Sequence, residues 1–305
     1  MSEQGIAGKP QVAVFPKGYI EALSEGRMSL HQWIEEAGTL GADGLEMYPR
    51  FFRQWDEAYL NLIKSEAQQQ GLQIPMMCSS PDFTHPDAEF RKQQVDHMKH
   101  MIQVMAVLGP DDFRSCRVLS GQRRENVSRE QGIRWTVESI RELLPAAERH
   151  RIHLVMENHY KDGYWTAPEF AQQSDIFLAI ADQIESPWFG INYDPSNAVV
   201  AGEDPIALLE RVKERVLTMH ASDRYLMPGH SMSELQQHQS EGYASILVHG
   251  VIGRGLNDYP VIFEHLRSAG FQGWISVEDG VNGLEELRDS IAYVKQQIDQ
   301  SGLGS

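Results

Sequence analysis

Cysteine is scarce. Cys78 and Cys116 are the only two in 305 residues, too few for a disulfide framework, and a reducing compartment is their simplest setting. Long apolar runs are missing too. Those present, such as Val12 to Phe15, fall far short of the ~18 residues that span a bilayer. Met1 to Gln11 is polar and carries no apolar leader core, so the expected location is cytoplasmic. Basic charge is in deficit, 27 residues against 43 acidic ones, a net −16. That field repels nucleic-acid backbones and anionic membranes, so neither is an expected partner. A divalent cation or a neutral sugar fits it better. No Ser/Gly-rich linker divides the chain. No G-x-G-x-x-G follows the first apolar run, where Phe15-Pro16-Lys17-Gly18-Tyr19 stands instead, and this counts against a dinucleotide fold. Disorder is excluded by an ordinary composition, 41% hydrophobic and 23% charged.

What is present is an alternation. Eight short apolar runs read as strands: Val12–Phe15, Gly44–Tyr48, Ile74–Cys78, Arg117–Ser120, Ile152–Glu157, Phe189–Tyr193, Val216–His220 and Trp274–Glu278. Most are continuously apolar, as strands buried on both faces of a parallel sheet are. Amphipathic stretches lie between them. Ser29 with Gln32, Ser128 with Gln131 and Thr166 with Glu169 fit capping boxes, and Asp204-Pro205 reads as a cap followed by Pro. Phe90, Val95, Met98, Met101, Ile102, Met105 and Leu108 form one apolar stripe, read as core packing. Eight βα units in one chain predict an α/β fold, a single-domain (β/α)8 TIM barrel over about residues 11–299. The spacing breaks once, between the seventh and eighth runs. The insertion, about 224–252, is expected on the catalytic face as a lid or subunit contact.

Barrel active sites sit at the C-terminal ends of the strands. The last four runs end on Glu157, Asp194, His220 and Glu278. Converged on one mouth, three carboxylates would repel each other unless a cation joined them. An oxygen-rich site with one nitrogen suits Mn²⁺, Mg²⁺, Co²⁺ or Fe²⁺ better than a thiolate zinc site does. His159, two residues past Glu157, is the candidate general base. Asp223 is a candidate for orienting a ligand or binding a sugar hydroxyl, and Glu46 and Asn192 are further candidate substrate contacts. Trp165, Tyr160 and Tyr164 offer aromatic surface for a sugar or an aglycone. Gly253-Arg254-Gly255 is a weak phosphate-loop signal. Cys78 reads as a pocket wall or core thiol.

At these residues the chain resembles the xylose isomerase-like barrel superfamily of sugar isomerases and epimerases, over nearly its whole length. Glu157, Asp194, His220 and Glu278 match the four ligand positions. One position departs: ketose epimerases carry His three residues after the strand-six Asp, where this chain has Asn197. Residues 156–163, 192–197 and 219–225 look like the large subunit of bacterial C-glycoside deglycosidases and related 3-keto-glycoside enzymes. That resemblance implies one Mn²⁺-type ion on the four ligands and a base at His159. It also implies an oligomer, with a small β-sandwich partner subunit in the true deglycosidases. Glu278, and with it Glu157, also resembles the carboxylate acid/base pair of ketose epimerases, which makes Glu278 a second candidate catalytic group.

The expected chemistry is enolisation of a keto-sugar, with a divalent ion as Lewis acid and a base on the α-proton. Elimination from a 3-keto-glycoside stands ahead of isomerisation or epimerisation. A metal-dependent phosphodiester hydrolase is disfavoured by the negative field and the single cluster. A non-catalytic sugar-binding protein would leave four convergent ligands unexplained.

Overall fold

The apolar runs become the staves of a closed ring because both of their faces are covered. The structure is a computed structural model and describes residues 8–235, 237 and 245–304. Among these residues ten strands follow in chain order: β1 (Gln11–Val14), β2 (Gly44–Leu45), β3 (Met76–Met77), β4 (Ser115–Val118), β5 (His153–Glu157), β6 (Phe189–Tyr193), β7 (Val216–Ala221), β8 (Arg224–Leu226), β9 (Leu247–His249) and β10 (Trp274–Val277). Eight of them form one parallel sheet in the order β2-β1-β10-β7-β6-β5-β4-β3. Parallel bridges Gly44↔Gln73 and Met47↔Met77 join its two ends, so the ring closes as a TIM barrel. Val12, Leu154, Ile191, Met219 and Ile275 are fully buried, as strands lined by side chains inside and covered by helices outside require.

The helices begin where the polar signals placed them. Ser29 and Ser128 close complete capping boxes with Gln32 and Gln131, and Asp204 accepts from the amide of Ile206 ahead of helix Pro205–Val212. The stripe from Val95 to Leu108 is the buried face of helix Ala88–Leu108. Thr166 starts no helix, contrary to the capping-box reading. The next helix begins at Ser174, because Glu169 turns inward and Thr166 instead donates to Gln122 Oε1. β2 and β3 are shorter than their apolar runs. Past Leu45 the amide of Glu46 still donates to the carbonyl of Val14 and Met47 pairs with Met77, and a 3-10 turn, Pro49–Phe51, then leads the chain away.

The insertion is an antiparallel hairpin, β8 with β9, and a short helix, Met232–Leu235. Leu235, Ile246 and Leu247 pack on Val199 and Val200, so the hairpin lies over the β6 side of the mouth. Residues 236 and 238–244 of the insertion lie outside the described residues. Among the described residues no helix is long and apolar enough to cross a membrane.

Candidate metal centre and reaction pocket

Four neighbouring staves build the centre. β5, β6, β7 and β10 are adjacent in the ring, and each delivers one group at its C-terminal end: Glu157, Asp194, His220 and Glu278. One donor atom from each lies within 4.8 Å of the others, and all four residues are buried.

Neighbouring side chains and amides hold each of these residues in place. Arg117 Nη1 donates to Glu157 Oε2 at 2.7 Å, and Lys17 Nζ donates to Glu278 Oε1 at 2.9 Å. Ser222 Oγ and the amide of Asn197 donate to Asp194 Oδ1 at 2.8 and 3.1 Å. His220 Nε2 lies 3.1 Å from Glu46 Oε2. Glu157 Oε1 accepts from Asn197 Nδ2 at 2.9 Å; Glu278 Oε2, the second Asp194 oxygen and His220 Nδ1 remain. That Nδ1 is buried and has no hydrogen-bond partner, although it lies 3.4 and 3.2 Å from Glu157 Oε1 and Glu278 Oε2. A buried, orphaned ring nitrogen facing carboxylate oxygens is what a divalent cation would satisfy, so the residues fit the group.

The electrostatics point the same way. Burial, then the charges of Glu157 and Glu278, push Asp194 up to about 7. Burial works against charge on Glu157, yet His220 and Arg117 hold it down at about 2. Burial likewise opposes a charged His220, but Glu46, Glu157 and Glu278 raise its pKa well above the usual histidine value. The carboxylate field calls for positive charge at its centre.

His159 stands beside this centre. It is 4% exposed, stacks on Tyr160 at 5.3 Å between centroids, and places Nδ1 3.3 Å from Glu169 Oε2. Glu169 is itself anchored by the amide and hydroxyl of Ser120 at 2.7 and 2.6 Å. His159, Lys17, Arg117, Tyr48 and Glu278 line one cavity of about 110 Å³. A second groove of about 470 Å³ adjoins it, lined by Trp165, Tyr164, Trp55 and Arg50, and the two share Tyr48, Asp162 and Tyr164.

Three sequence candidates take other places. Glu46 does not line the cavity that His159 and Lys17 share. It is 1% exposed and lies behind His220, accepting from Cys78 Sγ at 3.0 Å, because β2 enters the ring below the cluster. Asp223 is consumed by backbone. The amides of Arg224, Gly253, Gly255 and Asn257 all donate to it. The Gly253-Arg254-Gly255 loop therefore holds an internal carboxylate where a phosphate was considered. Asn192 is fully buried and accepts from Thr218. Cys78 is a buried thiol, and burial pushes its ionisation up, which suits it as a donor to Glu46.

Sequence reasoning missed Lys17, Arg117 and Glu169. Lys17 follows the first stave by three residues, so the strand-end rule would have found it had it been extended to cations; Arg117 lies inside β4, Ser115–Val118, which ends two residues earlier than the apolar run Arg117–Ser120 suggests, so that rule pointed past it. Glu169, twelve residues past β5, carried no strand-end signal.

A family model described as a xylose isomerase-like TIM barrel matches residues 34–297. A 3-oxo-isoapionate decarboxylase of Pectobacterium atrosepticum is 30% identical over 129 residues, 42% of this chain. The matched stretch spans only 39% of that relative's own length. An inosose dehydratase of Mesomycoplasma hyopneumoniae is 23% identical over 301 residues, 90% of each chain. Among solved structures, an IOLI protein with a bound zinc atom superposes with a TM-score of 0.71 at 14% identity, over 95% of this chain and 99% of that one.

Proposed function

We propose, for a chain that belongs to the xylose isomerase-like TIM-barrel family, that it is an enzyme catalysing divalent-cation-assisted enolisation of a keto-sugar, with β-elimination from a 3-keto-glycoside as the outcome. The observation that carries this is the convergence of one donor atom from each of four adjacent staves beside a cavity lined by His159. The names of the two curated relatives, a decarboxylase of a 3-oxo acid and a dehydratase of an inosose, support bond cleavage near a sugar carbonyl. The zinc in the structural relative supports a divalent ion, and Mn²⁺ is the first ion to test because oxygen donors outnumber nitrogen.

Glu157, Asp194, His220 and Glu278 would hold the ion. When bound, it would withdraw electron density from a carbonyl and acidify the neighbouring C–H. His159 then takes the α-proton. Its Nδ1 faces Glu169, which selects the tautomer with a lone pair on Nε2 and steadies the ring as it becomes charged. Arg117 and Lys17 keep Glu157 and Glu278 ionised as ligands. Each of those carboxylates therefore already serves a cation, which favours His159 over them as the base. The adjoining aromatic groove, with Trp165 and Tyr164, would take the part of the glycoside beyond the keto-sugar. The same reading includes an oligomer, with a small β-sandwich subunit as the partner to test by co-purification.

The test is incubation of the Mn²⁺-loaded protein with 3-keto-glucosides and with free ketoses in D₂O, followed by NMR. Deuterium entry at C2 of the 3-keto-glucoside with release of the aglycone is expected. Conversion of a free ketose without any release would replace elimination by isomerisation or epimerisation.

A further inference from the structure

The proposed enolisation assigns Lys17 a part only through Glu278, yet its ammonium faces the cavity. It enters the mouth on the loop after β1, whereas His159 enters after β5. In the closed order β2-β1-β10-β7-β6-β5-β4-β3, β1 and β5 are four strands apart in either direction. The two groups therefore face each other across the barrel mouth while lining one cavity of about 110 Å³. Gly18 lets the Lys17 loop lie against the loop after β10. A Cβ there would meet the carbonyl oxygen of Gly280 at 2.9 Å, so a bulkier residue would lift Lys17 away from Glu278.

Lys17 Nζ has three donors, and the hydrogen bond to Glu278 at 2.9 Å uses one. Its side chain is 16% exposed, so its charge acts where water screens it poorly. An isomerisation keeps every electron pair within the sugar and has no use for a second cation opposite the base. An elimination expels a pair on the departing atom.

We propose that Lys17 is the catalytic residue that stabilises the departing group of a 3-keto-glycoside, across the ring from His159. The inference rests on the elimination reading above. The C2–H bond breaks and its proton goes to His159. The released electron pair forms the C1=C2 double bond. The C1–O bond breaks, its pair leaves on oxygen, and the Lys17 ammonium holds that oxyanion by hydrogen bond and charge. Water protonates the alkoxide or phenolate after release, and the His159 proton returns to solvent. Lys17 acts by its charge and transfers no proton.

The test compares methyl, phenyl and 4-nitrophenyl 3-keto-β-D-glucosides on Mn²⁺-saturated wild type, Lys17→Met and Lys17→Arg. A good leaving group carries its own charge and needs Lys17 least. Lys17→Met should slow methanol release by ~10²-fold or more, the scale of losing one oxyanion donor, but 4-nitrophenolate release by less than ~10-fold. Deuterium entry at C2 should persist in Lys17→Met, metal content should stay near that of wild type, and Lys17→Arg should recover most of the methanol release. An equal loss on all three glycosides, or a parallel loss of C2 exchange or of bound metal, would overturn the assignment while leaving elimination intact. Wild-type exchange without release of any aglycone would overturn elimination, and Lys17's task with it, while enolisation stood.

Discussion

The four clustered residues are each anchored by neighbours, and this decides what single substitutions should do. Glu46 anchors His220 through Nε2 and is in turn held by Cys78. Glu46→Gln keeps the shape and removes the charge behind the imidazole, so divalent-ion affinity should fall by ~10-fold or more. Titration calorimetry would check this, and unchanged affinity would mean that Glu46 does not orient His220. His159 carries the opposite expectation. His159→Gln should cut C2 exchange and turnover together by ~10²-fold or more, the usual scale for a general base, with metal content unchanged. Exchange at the wild-type rate would pass the role to Glu157 or Glu278.

At the scale of one element, β5 runs from a histidine at its base to a carboxylate at its mouth. The His153 ring is stacked on Phe113 at 5.2 Å and tilted against Trp188 at 5.1 Å. Burial lowers its pKa to about 4 from 6.5. A depressed histidine is neutral in the fold and protonated in the unfolded chain between those values. Its stabilising contribution is therefore complete above pH 6.5 and is lost as pH falls toward 4. Urea unfolding at pH 7 and pH 4.5, with chelator present throughout, should show His153→Phe losing about 2 kcal/mol less than wild type, allowing for partial exposure. Equal losses would show that the ring gains its proton as readily in the fold as outside it. The mouth end of β5 differs because Arg117 of β4 and His220 of β7 hold Glu157 ionised.

The whole molecule carries −16, and its most concentrated acidic group is the buried centre. A cation there relieves like-charge repulsion that Lys17 and Arg117 only partly offset. Binding to the folded state alone adds about 2.7 kcal/mol at a hundredfold excess over Kd. Saturating Mn²⁺ should therefore raise the Tm of the chelated wild type, whereas Asp194→Ala and His220→Ala should fold but show little shift. Full metal occupancy in both variants would sink the ligand assignment. The hairpin β8–β9 is tied to the loop after β10 by His249 Nδ1 and Asp279 Oδ1, 2.7 Å apart.

The alternation of buried strands and capped helices was legible because both signals are local: a two-faced strand must be apolar, and a helix start must satisfy its free amides. Those signals by themselves determined a βα barrel, and the rule that chemistry gathers at strand ends picked out Glu157, Asp194, His220 and Glu278. Strand limits at β2 and β3 were not legible, since pairing there depends on where the ring closes. Nor was the fate of Glu46, Asp223 and Glu169. Each is an acidic residue near a strand end or loop, and only the tertiary structure decided that one backs His220, one gathers four amides and one faces His159. Lys17 and Arg117 show the same limit. Which carboxylate a cation meets depends on how far round the ring its strand lies, a distance set by closure of the barrel and written in no local stretch of chain.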